Sequence, residues 1–253
     1  MSTISFTVRG SGRPVILLHG FPMSSAVWDT FASQLSTDFQ AFTPDLPGFG
    51  KSDILSTPFS LDAVATQLLA WIDEQKIVQP VVIGHSLGGY VTLAMAAQAQ
   101  KKLAGIGLFH STAYADSAEK KESRTKTIEF VKKNGALAFT SNFIQQLFAE
   151  PNHPAIARVR EIAIQSGEEV VTGYTQAMRD RPERVDILEQ FENPILLIGG
   201  TKDQGIPAAS IEEQAQLCKK PDLHILTQVA HMGMFEKPDE TVSLVKFFTA
   251  RCQ

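Results

Sequence analysis

The chain has 253 residues, 43% of them hydrophobic, and a formal net charge of −4. That length suits one large α/β domain or two small ones with a substantial core. The acidic balance, with no Lys/Arg run longer than two, argues against nucleic acid as a partner, and no apolar stretch reaches the roughly 18 residues of a membrane span.

In chain order, residues 4–8 alternate like an edge strand and are followed by the turn Gly10-Ser-Gly12. Residues 15–18 read as a fully buried strand ending at His19-Gly20, and 24–35 as a helix. A short strand at 41–43 runs into Pro44-Asp-Leu-Pro-Gly-Phe-Gly-Lys-Ser52. Ser60 can cap a helix from 61 to about 75, with Leu61, Val64, Leu68 and Ile72 on one face. A strand at 81–83, a tight turn, a helix at 87–99 and a strand at 106–109 come next. Residues 113–190 break this rhythm. They hold many charges and helix formers, with Phe130, Leu137, Phe143, Leu147 and Phe148 as the apolar positions of helices. The alternation resumes with a strand at 195–198. Pro207 then suits the first turn of a helix reaching 217. A strand at 223–226 and an amphipathic helix at 239–248 close the chain.

Strands alternating with helices imply a mostly parallel sheet covered on both faces, and the unbroken apolar strands fit that burial. The expected organisation is a core of residues 1–112 and 191–253, with 113–190 as a helical cap insertion over one sheet edge. Such a segment either contacts substrate or only adds packing. Cys218 and Cys252 lie far apart and fit no metal spacing, so they read as free thiols of a reducing compartment. The first residues lack a basic region followed by an apolar core, and the expected location is the cytoplasm.

The most informative segment is Gly84-His-Ser-Leu-Gly-Gly89, set between a β-branched strand and a helix. It has the G-x-S-x-G pattern of a nucleophile elbow, in which a strained turn holds a serine hydroxyl clear of the fold. A serine hydroxyl is a poor nucleophile at neutral pH and needs a base, which in turn needs an orienting carboxylate. In a parallel sheet both should follow strands, because all the strand C-terminal ends lie on one side. Asp203 follows the strand at 195–198 and His231 follows the strand at 223–226, one crossover later. Their order, Ser86, Asp203, His231, is the order this architecture uses. A developing oxyanion needs donors, for which the backbone N–H groups of Leu87 and Phe21 are the candidates; Pro22 has none to give.

The ordered pieces His19-Gly-Phe-Pro22, Asp45-Leu-Pro-Gly-Phe-Gly-Lys-Ser52, Gly84-His-Ser-Leu-Gly-Gly89, Gly200-Thr-Lys-Asp203 and Ala230-His231 make the chain resemble an α/β-hydrolase-fold protein of the capped serine esterase type. The resemblance implies Ser86 as nucleophile, His231 as base and Asp203 as orienting acid, with no metal and no organic cofactor. It also implies a small-molecule ester as substrate and a structural role for Asp45. Dehalogenases and epoxide hydrolases of this fold use an aspartate nucleophile, dienelactone hydrolases a cysteine, and hydroxynitrile lyases a lysine directly after the histidine. Ser86 and Met232 depart from all of these.

Met23, His110, Phe139, Phe143, Phe148 and Met232 are the expected pocket residues, although helical apolar spacing is first of all a packing signal. Arg179 and Arg181 either hold an anionic substrate group or pair with Asp180, Glu183 or Asp186. Carboxylic ester hydrolysis is the leading reading. Carbon–carbon bond cleavage, lactone opening, perhydrolysis and a ligand receptor of hydrolase ancestry stay open beside it.

Overall fold

The computed structural model describes residues 3–55 and 59–252. Seven strands among them form one sheet: β1 (Phe6–Arg9), β2 (Pro14–Leu18), β3 (Gln40–Pro44), β4 (Val81–His85), β5 (Gly105–Phe109), β6 (Ile195–Gly200) and β7 (Pro221–Leu226). The spatial order is β1-β3-β2-β4-β5-β6-β7. All neighbours run parallel except β1, which pairs antiparallel with β3 at the edge, Phe6 opposite Pro44.

The inner strands are buried along their whole length, as their unbroken runs of Val, Ile and Leu require. Side chains alternate between the faces. Ile16, Leu18, Val82, Ile106, Leu108, Ile195 and Leu197 join one core layer, and Val15, Leu17, Val81, Ile83, Phe109, Leu196 and Ile198 the other. Onto the first layer pack α2 (Leu61–Glu74), α3 (Leu87–Ala99) and α9 (Ala208–Leu217); onto the second pack α1 (Asp29–Leu35), the short α10 (Gly233–Glu236) and α11 (Pro238–Arg251). Helix α2 buries the expected Leu61, Val64, Leu68 and Ile72, and the Ser60 hydroxyl accepts from the Ala63 N–H at 3.1 Å, the expected cap.

The chain adds β3 on one side of β2 and then crosses back to add β4 on the other. This reversal opens a crevice at the C-terminal ends of β2 and β4, where parallel sheets carry their sites. Phe21 follows β2 and Ser86 follows β4.

Between β5 and β6 stand α4 (Ala118–Asn134), α5 (Ala136–Phe143), a 3-10 turn (Ile144–Leu147), α6 (Ala155–Ala163), α7 (Glu168–Asp180) and α8 (Val185–Gln190), with no strand among the described residues. They are tied to the rest by the Tyr174 hydroxyl donating to Pro47 O and the Ser166 hydroxyl donating to Pro22 O. Two expected apolar positions differ. Phe130 is 44% exposed, because Val131 is the one buried residue of α4, and Leu137 is 60% exposed on α5, which buries Ala136 and Thr140 instead.

Candidate active site

Ser86 sits between β4 and α3 with φ 51° and ψ −111°, in the left-handed region that side chains rarely adopt. Glycine makes the turn possible. A Cβ on Gly84 would lie 2.1 Å from the backbone of Gly88, and one on Gly88 would lie 2.4 Å from Leu18 O. The turn is held by the Ser86 N–H on Phe109 O at 2.9 Å and by the Ser111 hydroxyl, which donates to Ser86 O at 2.8 Å. Ser111 carries no sequence signal of its own.

Asp203 and His231 reach the same rim from the adjacent strands β6 and β7. His231 Nδ1 lies 2.7 Å from Asp203 Oδ2. The other oxygen, Oδ1, accepts from the N–H groups of Gly205 and Ile206 at 2.9 and 3.0 Å. Burial opposes ionisation of this carboxyl. His231 beside it, His110 and the hydrogen bonds outweigh burial and hold it well below the usual carboxylate range. An ionised Asp203 fixes Nδ1 as the protonated nitrogen of a neutral His231 and leaves Nε2 free to accept a proton.

Glu236, one turn beyond His231, braces this loop and was not legible beforehand. Its Oε2 accepts from the N–H groups of Ala230 and Met232 at 3.0 and 3.1 Å, on either side of His231, and its Oε1 from Ala149 at 2.8 Å. The His231 N–H donates to Leu147 O at 2.9 Å. A five-residue spacing between a histidine and a glutamate matches no motif, so only the fold reveals it.

The structure brings Ser86, Asp203, His231, Phe21, Phe139 and Phe143 to one cavity of about 380 Å³. The N–H groups of Phe21 and Leu87 donate to no acceptor among the described residues, and Leu87 opens helix α3, where the helix dipole favours negative charge.

Four expected pocket residues do not line this cavity. Met23, His110 and Met232 are at most 1% exposed and Phe148 is 6% exposed. Met23 and Met232 turn into the core layer that contains Trp28, and Phe148 stacks on His153 with ring centres 5.0 Å apart. His110 lies behind the acid. Its φ is 50° and its Nδ1 is 3.3 Å from Asp203 Oδ2, without the alignment of a hydrogen bond. Burial lowers its pKa, with Asp203 opposing. A strand-end position predicts the rim but not which side of the acid the ring takes.

The other sequence candidates hold the frame. His19 has Nδ1 3.0 Å from Gly20 O and accepts from the Leu46 N–H at Nε2, so it fixes backbone. His85 Nε2 lies 2.8 Å from His231 O. Asp45 accepts from the N–H groups of Ser25 and Lys51. Arg179 pairs with Asp180, one of the alternatives left open for it. Arg181 pairs instead with Asp116, and donates to Met178 O and Tyr114 O. His110, Asp203 and His231 offer three metal-ligand atoms within 4.8 Å, the one such cluster among the described residues. The Asp203 oxygens already accept from His231 and two N–H groups, so the set reads as a hydrogen-bond network.

A profile of the alpha/beta hydrolase family matches residues 15–244, and the chain belongs to that family. It is 28% identical over 255 residues to a pimeloyl-[acyl-carrier protein] methyl ester esterase of Nitrosomonas europaea, covering 96% of this chain and 98% of that one. It is 24% identical over 253 residues to Lipase 1 of Psychrobacter immobilis, covering 94% of this chain and 77% of the relative. Among solved structures, a thermophilic esterase from Thermogutta terrifontis superposes with a TM-score of 0.93 at 28% identity, covering 99% of this chain and 94% of the other.

Proposed function

We propose that the protein is a serine hydrolase of carboxylic esters, with Ser86, His231 and Asp203 as its triad. The observation that carries the reading is the 2.7 Å contact between His231 Nδ1 and Asp203 Oδ2, opening on the same cavity as a serine held at φ 51°. The names of the esterase and lipase relatives agree with it.

His231 Nε2 takes the Ser86 proton as Oγ bonds to the ester carbonyl carbon. The carbonyl oxygen gains the electron pair and meets the N–H groups of Phe21 and Leu87. The imidazolium returns its proton to the departing alkoxide as the carbon–oxygen bond breaks, leaving an acyl-enzyme and an alcohol. Water, deprotonated by His231, attacks the acyl carbon, and the imidazolium returns that proton to Ser86 Oγ as the acyl–oxygen bond breaks, releasing the acid and regenerating both residues. Each oxyanion donor is worth about 3 kcal/mol of transition-state stabilisation. In this reading residues 113–190 are a cap on a core of 1–112 and 191–253, and Phe21, Phe139 and Phe143 border the acyl site. The substrate is a small molecule, no metal or cofactor takes part, and the reaction runs in the cytoplasm.

The test is hydrolysis of p-nitrophenyl esters across acyl lengths by wild type and Ser86→Ala. We expect turnover in the wild type and its loss in the variant. Turnover that survives in Ser86→Ala would overturn the reading.

A further inference from the structure

The cavity has two unlike walls. One is apolar, built from Phe21, Phe139, Phe143 and Leu147. Another part of the lining is the polar side of α4, with Lys120, Ser123, Arg124 and Thr127 at helical spacing. Asp203 is the one carboxylate among the described lining residues. Its side chain is 1% exposed and its oxygens are already used.

Charge on the polar wall does not balance. Asp116 is fully buried as a side chain and is shared by two guanidinium groups, with Oδ1 on Arg181 at 2.8 Å and Oδ2 on Arg124 Nε. Burial opposes ionisation of Asp116, but the two arginines hold it below the usual carboxylate range. One carboxylate against two guanidinium groups leaves one positive charge uncompensated. Lys120 adds a second. It is half-buried, its ammonium donates to Gly205 O at 3.1 Å, and no ion pair holds it among the described residues. Gly205 belongs to the loop whose N–H groups hold Asp203, so this cation stands beside the reaction centre. Asp203, ionised beside a neutral His231, cancels one of these, so three cations (Lys120, Arg124, Arg181) stand against two carboxylates (Asp116, Asp203), and a protein of net charge −4 still leaves one positive charge in excess here. A cavity focuses such a field, which attracts anions.

We propose that the α4 wall is a carboxylate subsite. The substrate is then an ester with one apolar arm, lying among Phe21, Phe139 and Phe143, and one arm ending in a carboxylate held by Lys120 with Arg124 beside it. The substrate class rests on the serine-esterase reading; the subsite does not. The carboxylate is carried on either the acyl or the alcohol side, and the two are separable by experiment.

The first arm compares a mono-p-nitrophenyl ester of a dicarboxylic acid with the p-nitrophenyl ester of the monocarboxylic acid of equal length. The chain is kept long enough that the carboxylate gives no internal catalysis. The second arm compares butyryl esters of hydroxybenzoate and of its methyl ester. We expect kcat/KM in one arm to favour the charged ester by about fivefold, a size set by partly exposed ion pairs, and through KM. The ratio should fall to near one in Lys120→Met, recover in Lys120→Arg and shrink as salt rises.

Calorimetric titration of Ser86→Ala with adipic acid monoanilide and with hexananilide reads the same preference without turnover. We expect tighter binding of the charged anilide, lost when Lys120→Met is added. Equal treatment of charged and neutral partners in both kinetic arms and in the titration overturns the subsite, as does a preference unchanged in Lys120→Met. A binding preference in a protein that hydrolyses no ester leaves the subsite standing and overturns the esterase reading alone.

Discussion

Asp203 shows how much one side chain depends on its surroundings. Burial alone would favour its neutral acid. His231, His110 and the N–H groups of Gly205 and Ile206 make the ionised form the stable one. The carboxylate then dictates the tautomer of His231, and so leaves Nε2 as the nitrogen that can accept a proton. Asp203→Asn keeps the shape but offers no matching charge. We expect kcat to fall by about 10³ to 10⁴ with KM little changed, measured on a neutral p-nitrophenyl ester. A fall smaller than tenfold would remove Asp203 from the triad. Gly84 is constrained differently, since a Cβ there would lie 2.1 Å from Gly88 O. Neither backbone can yield without opening the elbow, so Gly84→Ala is expected to abolish turnover and lower Tm, read by circular dichroism during heating. Wild-type turnover in that variant would contradict the strained turn. Both Ser86 and Gly84 were legible in the sequence because the requirement is local, a serine on a turn that admits only small neighbours.

Elements decide what single residues cannot. Strands β6 and β7 are neighbours, and this adjacency brings residues 203 and 231 within hydrogen-bond reach. The sequence predicted it from one crossover. It did not predict the brace on the loop. Glu236 accepts three N–H groups, two of them flanking His231, and so sets where the imidazole stands. Hydrogen bonds to a charged group are worth about 1.5–3 kcal/mol, and unpaired buried donors cost more. Glu236→Ala is therefore expected to reduce kcat at least tenfold while leaving the charged-to-neutral ester ratio of the wild type. Steady-state kinetics on both esters checks this, and an unaltered kcat would show that the loop stands without it.

Helix α4 marks the other limit of the sequence. Phe130 was read as one of the apolar positions of the helices here, yet it is exposed and the cavity side of α4 is polar. A helix that lines a cavity has no packed core to point at on that side, so apolar spacing loses its meaning there. His110, Met23, Phe148 and Met232 are the converse case. Met23 and Met232 neighbour site residues in sequence, His110 ends a strand and Phe148 is an aromatic of the 113–190 segment, so all four were expected in the pocket, and the interior took them.

At the scale of the molecule, the strands and their mostly parallel arrangement followed from patterning, because a two-sided parallel sheet needs unbroken apolar runs. No helix among the described residues is long and apolar enough to cross a membrane. The cost of building the site inside this core appears in its buried histidines. Burial lowers the pKa of His19, of His85 and of His110; at His85 the neighbouring His231 and His110 lower it further. These groups stay neutral in the fold but take up protons in the unfolded chain below about pH 6.5. The unfolded state then binds more protons, so stability rises with pH up to that value and is lost as pH falls below it. Each such histidine contributes up to about 1.4 kcal/mol per pH unit in that window. The paired carboxylates Asp116 and Asp203 have depressed pKa values, so their stabilisation is lost only at lower pH, below the ordinary carboxylate range. Urea midpoints should be flat from pH 8 to 7 and drop clearly between pH 6.5 and 5. Midpoints unchanged over the second interval would show that these histidines are not held neutral.

The covalent role of Ser86 is tested most directly by quenching the protein in acid during turnover of p-nitrophenyl acetate and mapping the adduct by peptide mass spectrometry. We expect the mass of one acetyl group on the peptide containing Ser86 in the wild type, and none there in Ser86→Ala. Steady ester turnover with the acetyl group on another residue would contradict Ser86 as the nucleophile.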